Sequence, residues 1–177
     1  MKFTVLIILG IFLINPAELL AQRQAEINSG FEWMSLEDAQ VAAAESGKKI
    51  LLFGFAEWCT FCLKTRKETF PDSSVLASIA EFYHPVQLDA ESDKIITYNG
   101  QKLKESELAR FLRITSYPTH FFIDADGSIL GAQPGFMEPF VYSPLLKYVG
   151  SDAYKNQSFE EYSEIEDKDK DKDENDQ

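Results

Sequence analysis

Lys49-Ile-Leu-Leu-Phe-Gly-Phe55, followed at once by Ala56-Glu-Trp-Cys-Thr-Phe-Cys62 and then Leu63-Lys-Thr-Arg-Lys-Glu-Thr-Phe70, is the stretch that decides how this chain folds. Its first segment is a continuous apolar run, too short for a typical helix and rich in strand formers, which predicts a strand buried on both faces. Its last segment holds good helix formers and stops at Pro71, whose ring cannot continue a helix. Cys59 and Cys62 therefore stand at a strand-to-helix junction, on one face of a helical first turn, with their sulfurs within bridging reach. Unpaired N–H groups and the helix dipole favour a thiolate there, so Cys59 is expected to attack. Cys62, one turn deeper, is expected to displace the product from the mixed disulfide that results.

Two other readings of the pair compete with this one. Cys-x-x-Cys is also half of a zinc site, but the chain has no further cysteine, and its only two histidines, His84 and His120, lack the paired spacing of zinc ligands. A purely structural disulfide would close so short a loop that it would restrain the unfolded chain little. No metal and no bound cofactor is expected.

Working outward, Ser35-Leu-Glu-Asp38 resembles a capping box, and Leu36, Ala39 and Ala43 recur at helical spacing until Gly47, predicting a helix over 35–46. Beyond Pro71, Asp72 or Ser73 can cap a helix carrying Val75, Leu76, Ile79 and Phe82, and Pro85-Val-Gln-Leu88 reads as a second strand. Residues 91–104 are polar and predicted irregular, and 105–113 predicted helical. A strand is expected over 114–124, with Pro118 near its start. Ala125-Asp-Gly-Ser128 then signals a hairpin into a strand over 129–132, and Pro144 is placed in the first turn of a last helix, 143–148, closed by Gly150.

Both ends differ from this body. Lys2, an apolar run from Val5 to Ile14, the break at Asn15-Pro16 and small Ala21 have the layout of a signal peptide, 1–21, cleaved after Ala21. The run is interrupted by Pro16 and Glu18 before it reaches the roughly 20 apolar residues of a membrane span, and no cysteine near the cut could accept a lipid. A periplasmic or secreted location is expected, where disulfides persist. From Ser158 to Gln177 the chain holds 10 acids and 3 lysines, a composition that predicts a disordered acidic tail and leaves 22–157 as the folded domain. The net charge of -12 over 177 residues gives no broad positive field, so nucleic acid is not an expected partner.

Phe55-Ala-Glu-Trp-Cys-Thr-Phe-Cys62, together with Ser116-Tyr-Pro-Thr119 about sixty residues later, resembles the two signatures of the thioredoxin family, and the likeness runs from about Phe31 to Val149. Exported thioredoxin-like oxidoreductases are the nearest match. The resemblance implies an α/β fold of thioredoxin type, a mixed central sheet with helices on both faces. It implies that Cys59 attacks, Cys62 resolves, Trp58 packs beside the pair, and Pro118 follows a cis peptide bond against the cysteines. Tyr117 would then offer its backbone to an extended substrate strand. One departure matters: the family buries an acid six residues before the first cysteine, and that position here is Phe53. Strand alternation puts His120 on the side of Pro118, so His120 is a candidate substitute proton shuttle, against the alternative of a histidine satisfied within the core.

The function expected is thiol-disulfide exchange on exported, disulfide-containing proteins. It runs in the reductive direction, with a membrane thiol-disulfide carrier as electron donor, and nothing demands more than a monomer. The alternatives are an oxidase or isomerase using the same residues, and a binding module of this fold whose cysteines stay idle.

Overall fold

The computed structural model describes residues 30–164. The expected signal segment, 1–21, and residues 165–177 of the acidic tail lie outside the described residues. In chain order the elements are α1 (Leu36–Ser46), β1 (Lys49–Phe55), α2 (Thr60–Lys64), a π-helical turn (Thr65–Thr69), α3 (Ser73–Phe82), β2 (Tyr83–Asp89), β3 (Ile95–Tyr98), β4 (Gln101–Lys104), α4 (Glu105–Phe111), β5 (Thr119–Ile123), β6 (Ile129–Pro134), α5 (Pro139–Gly150) and a short 3-10 turn (Ala153–Lys155). Ser35 caps α1 by accepting the Asp38 N–H at 3.0 Å, and Gly47 leaves it at φ 76°, a conformation that needs no Cβ.

β1 lies inside a four-stranded sheet ordered β2-β1-β5-β6, parallel to β2 and antiparallel to β5, with β6 antiparallel on the far side. The sheet is mixed, with helices on both faces. Alternation along β1 builds two cores. Ile50 and Leu52 point with Phe121 and Ile123 towards α1 and α4, while Leu51 and Phe53 join Phe70, Val75, Ile79, Tyr142, Leu146 and both cysteines on the other face. The cysteine turn thus rests on one buried layer, and the apolar continuity of β1 is explained by the burial of both its faces.

Several boundaries differ from expectation. Residues 91–104, expected to be irregular, contain the β3–β4 hairpin, which forms a separate two-stranded sheet. Its turn is Asn99-Gly100, with φ 48° and 77°, and Ile96 and Tyr98 alternate inward onto the α1 core. Gln40 of α1 pins it, donating from Nε2 to the Thr97 carbonyl at 2.9 Å and accepting the Asn99 N–H at 2.8 Å. β5 begins only at Thr119, because Arg113 at φ 57° and the cis Tyr117–Pro118 bond bend the chain before it.

The last helix starts at Pro139, whose fixed φ and missing N–H suit a first helical position, and Pro144 falls inside it rather than in its first turn. Gly150 ends that helix without capping it. The ordered body also continues past 157: residues 159–164 are helical, Ser158 donates its backbone N–H to the Glu161 carboxylate at 2.9 Å, and Phe159 and Tyr162 each pack 5.4 Å from the Tyr148 ring. Residues 158–164, part of the expected tail, thus pack on α5 through their aromatic side chains, a contact that the charge count of the segment conceals.

Candidate active site

β1 ends at Phe55, and a turn through Ala56, Glu57 and Trp58 delivers Cys59, whose N–H donates to the Ala56 carbonyl at 3.0 Å. Cys59 is the N-cap of α2. Its sulfur accepts the Cys62 N–H at 3.0 Å, a donor shared with the Cys59 carbonyl at 3.1 Å, so the group that would carry a thiolate's charge already faces a first-turn helix N–H. The two cysteines form a disulfide, S–S 2.10 Å with Cα atoms 5.2 Å apart, and both are buried. Of the two, Cys59 is marginally the more exposed, 4% against 2%.

The helix does not continue as α. Phe70 N–H donates to the Thr65 carbonyl five residues back, at 3.0 Å, making the π turn, and Thr69 Oγ1 anchors it to the Met137 carbonyl at 2.6 Å.

Trp58 stands over the site, two-thirds exposed (67%), with its indole N–H shared between both carboxylate oxygens of Glu91 at 3.0 Å. Its ring meets Tyr117 edge-on at 5.7 Å. Tyr117 is half-buried against the layer that holds the cysteines, and burial followed by the charges of Glu91 and Asp89 raises its phenol pKa. Pro118, following the cis bond, is buried at the head of β5. Between the cysteines in sequence, exposed Phe61 faces Phe136 at 6.4 Å, and the Lys64 ammonium lies 4.0 Å above the Phe136 ring. Trp58 and Phe61 thus give the site two exposed aromatic flanks.

His120 lies on the cysteine side of the sheet, as alternation predicts, directly opposite Phe53 in the β1–β5 pairing. It has no exposed surface. Its Nδ1 is 2.8 Å from the Tyr142 hydroxyl, and Nε2 has no partner among the described residues. Burial pushes its pKa down to about 3, so the ring is neutral at physiological pH. Among the described residues no hydrogen bond joins it to either sulfur. His84, the other zinc candidate, sits opposite Ile50 at the far end of β1 and bonds Ser46 at 2.9 Å, so it does not join the cysteines. The described residues contain no group of three or more potential ligands placed to hold a metal.

Sequence reasoning did not single out Glu91, Phe136, Tyr142 or Arg66. Glu91 and Phe136 carry no local signal. Arg66 did carry one: it is a charged side chain four residues after Cys62, on the face that must be buried.

The family model for the thioredoxin-like domain matches residues 36–150, from the start of α1 to the end of α5. The chain belongs to the thioredoxin-like family. Its Cys-x-x-Cys pair at the head of α2 is the arrangement that thiol-disulfide exchange requires.

Among curated relatives, the thiol:disulfide interchange protein DsbD of Citrobacter koseri is 32% identical over 131 residues, 72% of this chain but only 21% of DsbD. The chain spans about a fifth of the length of that relative. The disulfide bond reductase DsbH of Chlamydia pneumoniae is 28% identical over 122 residues, covering 67% of this chain and 73% of DsbH. A solved DsbH oxidoreductase superposes with TM-score 0.55 at 25% identity, over 72% of this chain and 86% of that one. A thioredoxin-fold protein from Helicobacter pylori gives 0.64 at 18% identity, over 81% of this chain and 96% of that one, a likeness of fold. No helix among the described residues is long and apolar enough to cross a membrane.

Proposed function

We propose that this thioredoxin-like protein is a disulfide reductase of exported proteins, acting as a monomer in the periplasm or outside the cell after cleavage of residues 1–21. The observation that carries the reading is the position of Cys59 at the N-cap of α2, its sulfur accepting the Cys62 N–H, with Cys62 buried beneath. Cys59 thiolate attacks one sulfur of a substrate disulfide, and the other sulfur leaves as a thiolate that takes a proton. Cys62 then attacks Cys59 of the mixed disulfide, releasing the reduced substrate and closing the Cys59–Cys62 bond. Two electrons from a membrane thiol-disulfide carrier reopen the pair.

Trp58, Tyr117 and Pro118 form the substrate side of the groove, where an extended segment lies along the Tyr117 backbone between the aromatic flanks. His120, on the face of the sheet that holds Cys62, is the candidate proton relay of the resolving step, passing the proton on without resting as an imidazolium. The reductive direction is supported by the relation to a protein named as a disulfide bond reductase.

The test is a glutathione titration of the Cys59/Cys62 pair together with a Cys62→Ser variant. A potential well below about -200 mV, and mixed disulfides accumulating on Cys59 of the variant, are expected. A potential well above that value makes the protein an oxidant. Full activity in a Cys59→Ser variant makes it a binding module.

A further inference from the structure

Two cationic side chains are buried among the described residues, Lys49 and Arg66. Lys49 is neutralised by Asp152 at 2.8 Å. Arg66 makes no ion pair within 4 Å among the described residues, although it is only 6% exposed. Its guanidinium carbon instead lies against aromatic rings, 4.5 Å from the centroid of Phe55, 5.3 Å from Phe53 and 5.8 Å from Trp33. Phe53 packs in the same buried layer as both cysteines, and Phe55 closes the strand that delivers them.

Arg66 follows Cys62 by about one turn, at the start of the π-helical segment, and helical side chains lean towards the helix N-terminus. The guanidinium is therefore carried back towards the cysteine turn. Burial lowers its pKa and the field of Glu57 acts the other way, but a guanidinium keeps its proton throughout the working range of pH.

We infer that Arg66 is a fixed positive charge that stabilises the thiolate of the Cys59/Cys62 pair and thereby sets its redox potential. Opening the disulfide takes up two electrons. Where one sulfur stays a thiolate, the pair takes up one proton instead of two, so a charge that favours the thiolate favours the reduced state. The aromatic packing matters here: rings hold the cation without a carboxylate to cancel it and keep out the water and salt that would screen it. The charged groups nearby are exposed Glu57, which weakens this field, and Asp89, Glu105 and Lys94, which line the pocket bounded by Trp33, Phe55 and Glu57. His120, packed on Phe53, and Tyr142 beside it contribute neutral groups. The inference rests on the pair being redox-active, in whichever direction electrons flow.

The experiment compares wild type, Arg66→Met and Arg66→Lys in the mature chain. It reads the thiolate by its ultraviolet absorbance against pH, and the dithiol–disulfide equilibrium in glutathione buffers at pH 7, at low and high salt. Arg66→Met should raise the pKa of Cys59 and shift the equilibrium about tenfold towards the disulfide, some 30 mV more reducing. Arg66→Lys should recover most of the shift, and salt should change it little. Arg66→Gln carries the same expectation as Arg66→Met if the latter fails to fold. A melting temperature that falls while the thiolate pKa and the equilibrium stay within twofold of wild type overturns the inference. The thiolate titration needs no turnover, so a protein that proves inactive as a reductase still tests the role of Arg66.

Discussion

Tyr142 and His120 form a hydrogen-bonded pair, hydroxyl to Nδ1 at 2.8 Å, and neither residue exposes any surface. The imidazole has its pKa pushed down by burial to about 3, below the 6.5 of an unfolded chain. Its contribution to stability is therefore complete above pH 6.5 and is lost as pH falls towards 3, at about 1.4 kcal/mol per pH unit. Urea unfolding should show wild type losing roughly 2–3 kcal/mol more than His120→Gln between pH 6.5 and 4.5. Parallel stability curves for the two proteins would mean that the pair does not hold this ring neutral.

The same histidine is expected to act in one chemical step only. In stopped-flow reduction of a model disulfide, His120→Gln should slow resolution of the mixed disulfide by roughly tenfold or more while leaving the first attack by Cys59 unchanged. Because the ring does not titrate near pH 6.5, the loss should be uniform between pH 6 and 8. An unaltered resolution profile would retire His120 as the proton relay.

Trp58 contributes an exposed ring held by the Glu91 carboxylate at its indole N–H and by a T-shaped contact with Tyr117. Truncating it to alanine should raise KM for a disulfide-bonded protein about tenfold, leave kcat nearly constant, and shift stability by no more than about 0.5 kcal/mol. Equal losses in kcat and kcat/KM would place Trp58 in the chemical step rather than in substrate binding.

Gly150 ends α5 with its Cα pressed on Phe82; a Cβ built there would lie 2.5 Å from the ring. Gly150→Ala should destabilise the fold by about 1–3 kcal/mol despite the better helix propensity of alanine. A Gly150→Ala, Phe82→Leu double variant should recover part of that. Denaturant midpoints decide it, and a stabilised single variant would contradict this packing.

The central strand, the cysteine turn and the capped start of α1 were legible because each rests on local chemistry: an apolar run, a helix N-terminus, a serine hydroxyl. The β3–β4 hairpin could have been found from Asn99-Gly100, a turn signal that was hidden by the polarity of the residues around it. Pro144 is ambiguous in the sequence because a proline suits a first helical turn, and Pro139 has that place. Gly150 looked like a helix stop, whereas the constraint on it comes from Phe82, remote in sequence. Glu91 beneath Trp58 and Tyr142 beside His120 are likewise long-range relations, 33 and 22 residues apart, that no periodicity announces.

The π turn at Thr65–Thr69 has a consequence for how such a site can vary. A regular helix has a single phase, in which removing one residue swings everything beyond it by about 100°. Here the wide turn acts as a phase break between the half-turn that presents Cys59 and Cys62 and the half that sends Phe70 into the core, with Thr69 fastened to Met137 as the fixed point. Substitutions at the two residues between the cysteines can tilt the reactive turn without being transmitted to the packing of Phe70, so reactivity and foldability can be altered separately on one short helix.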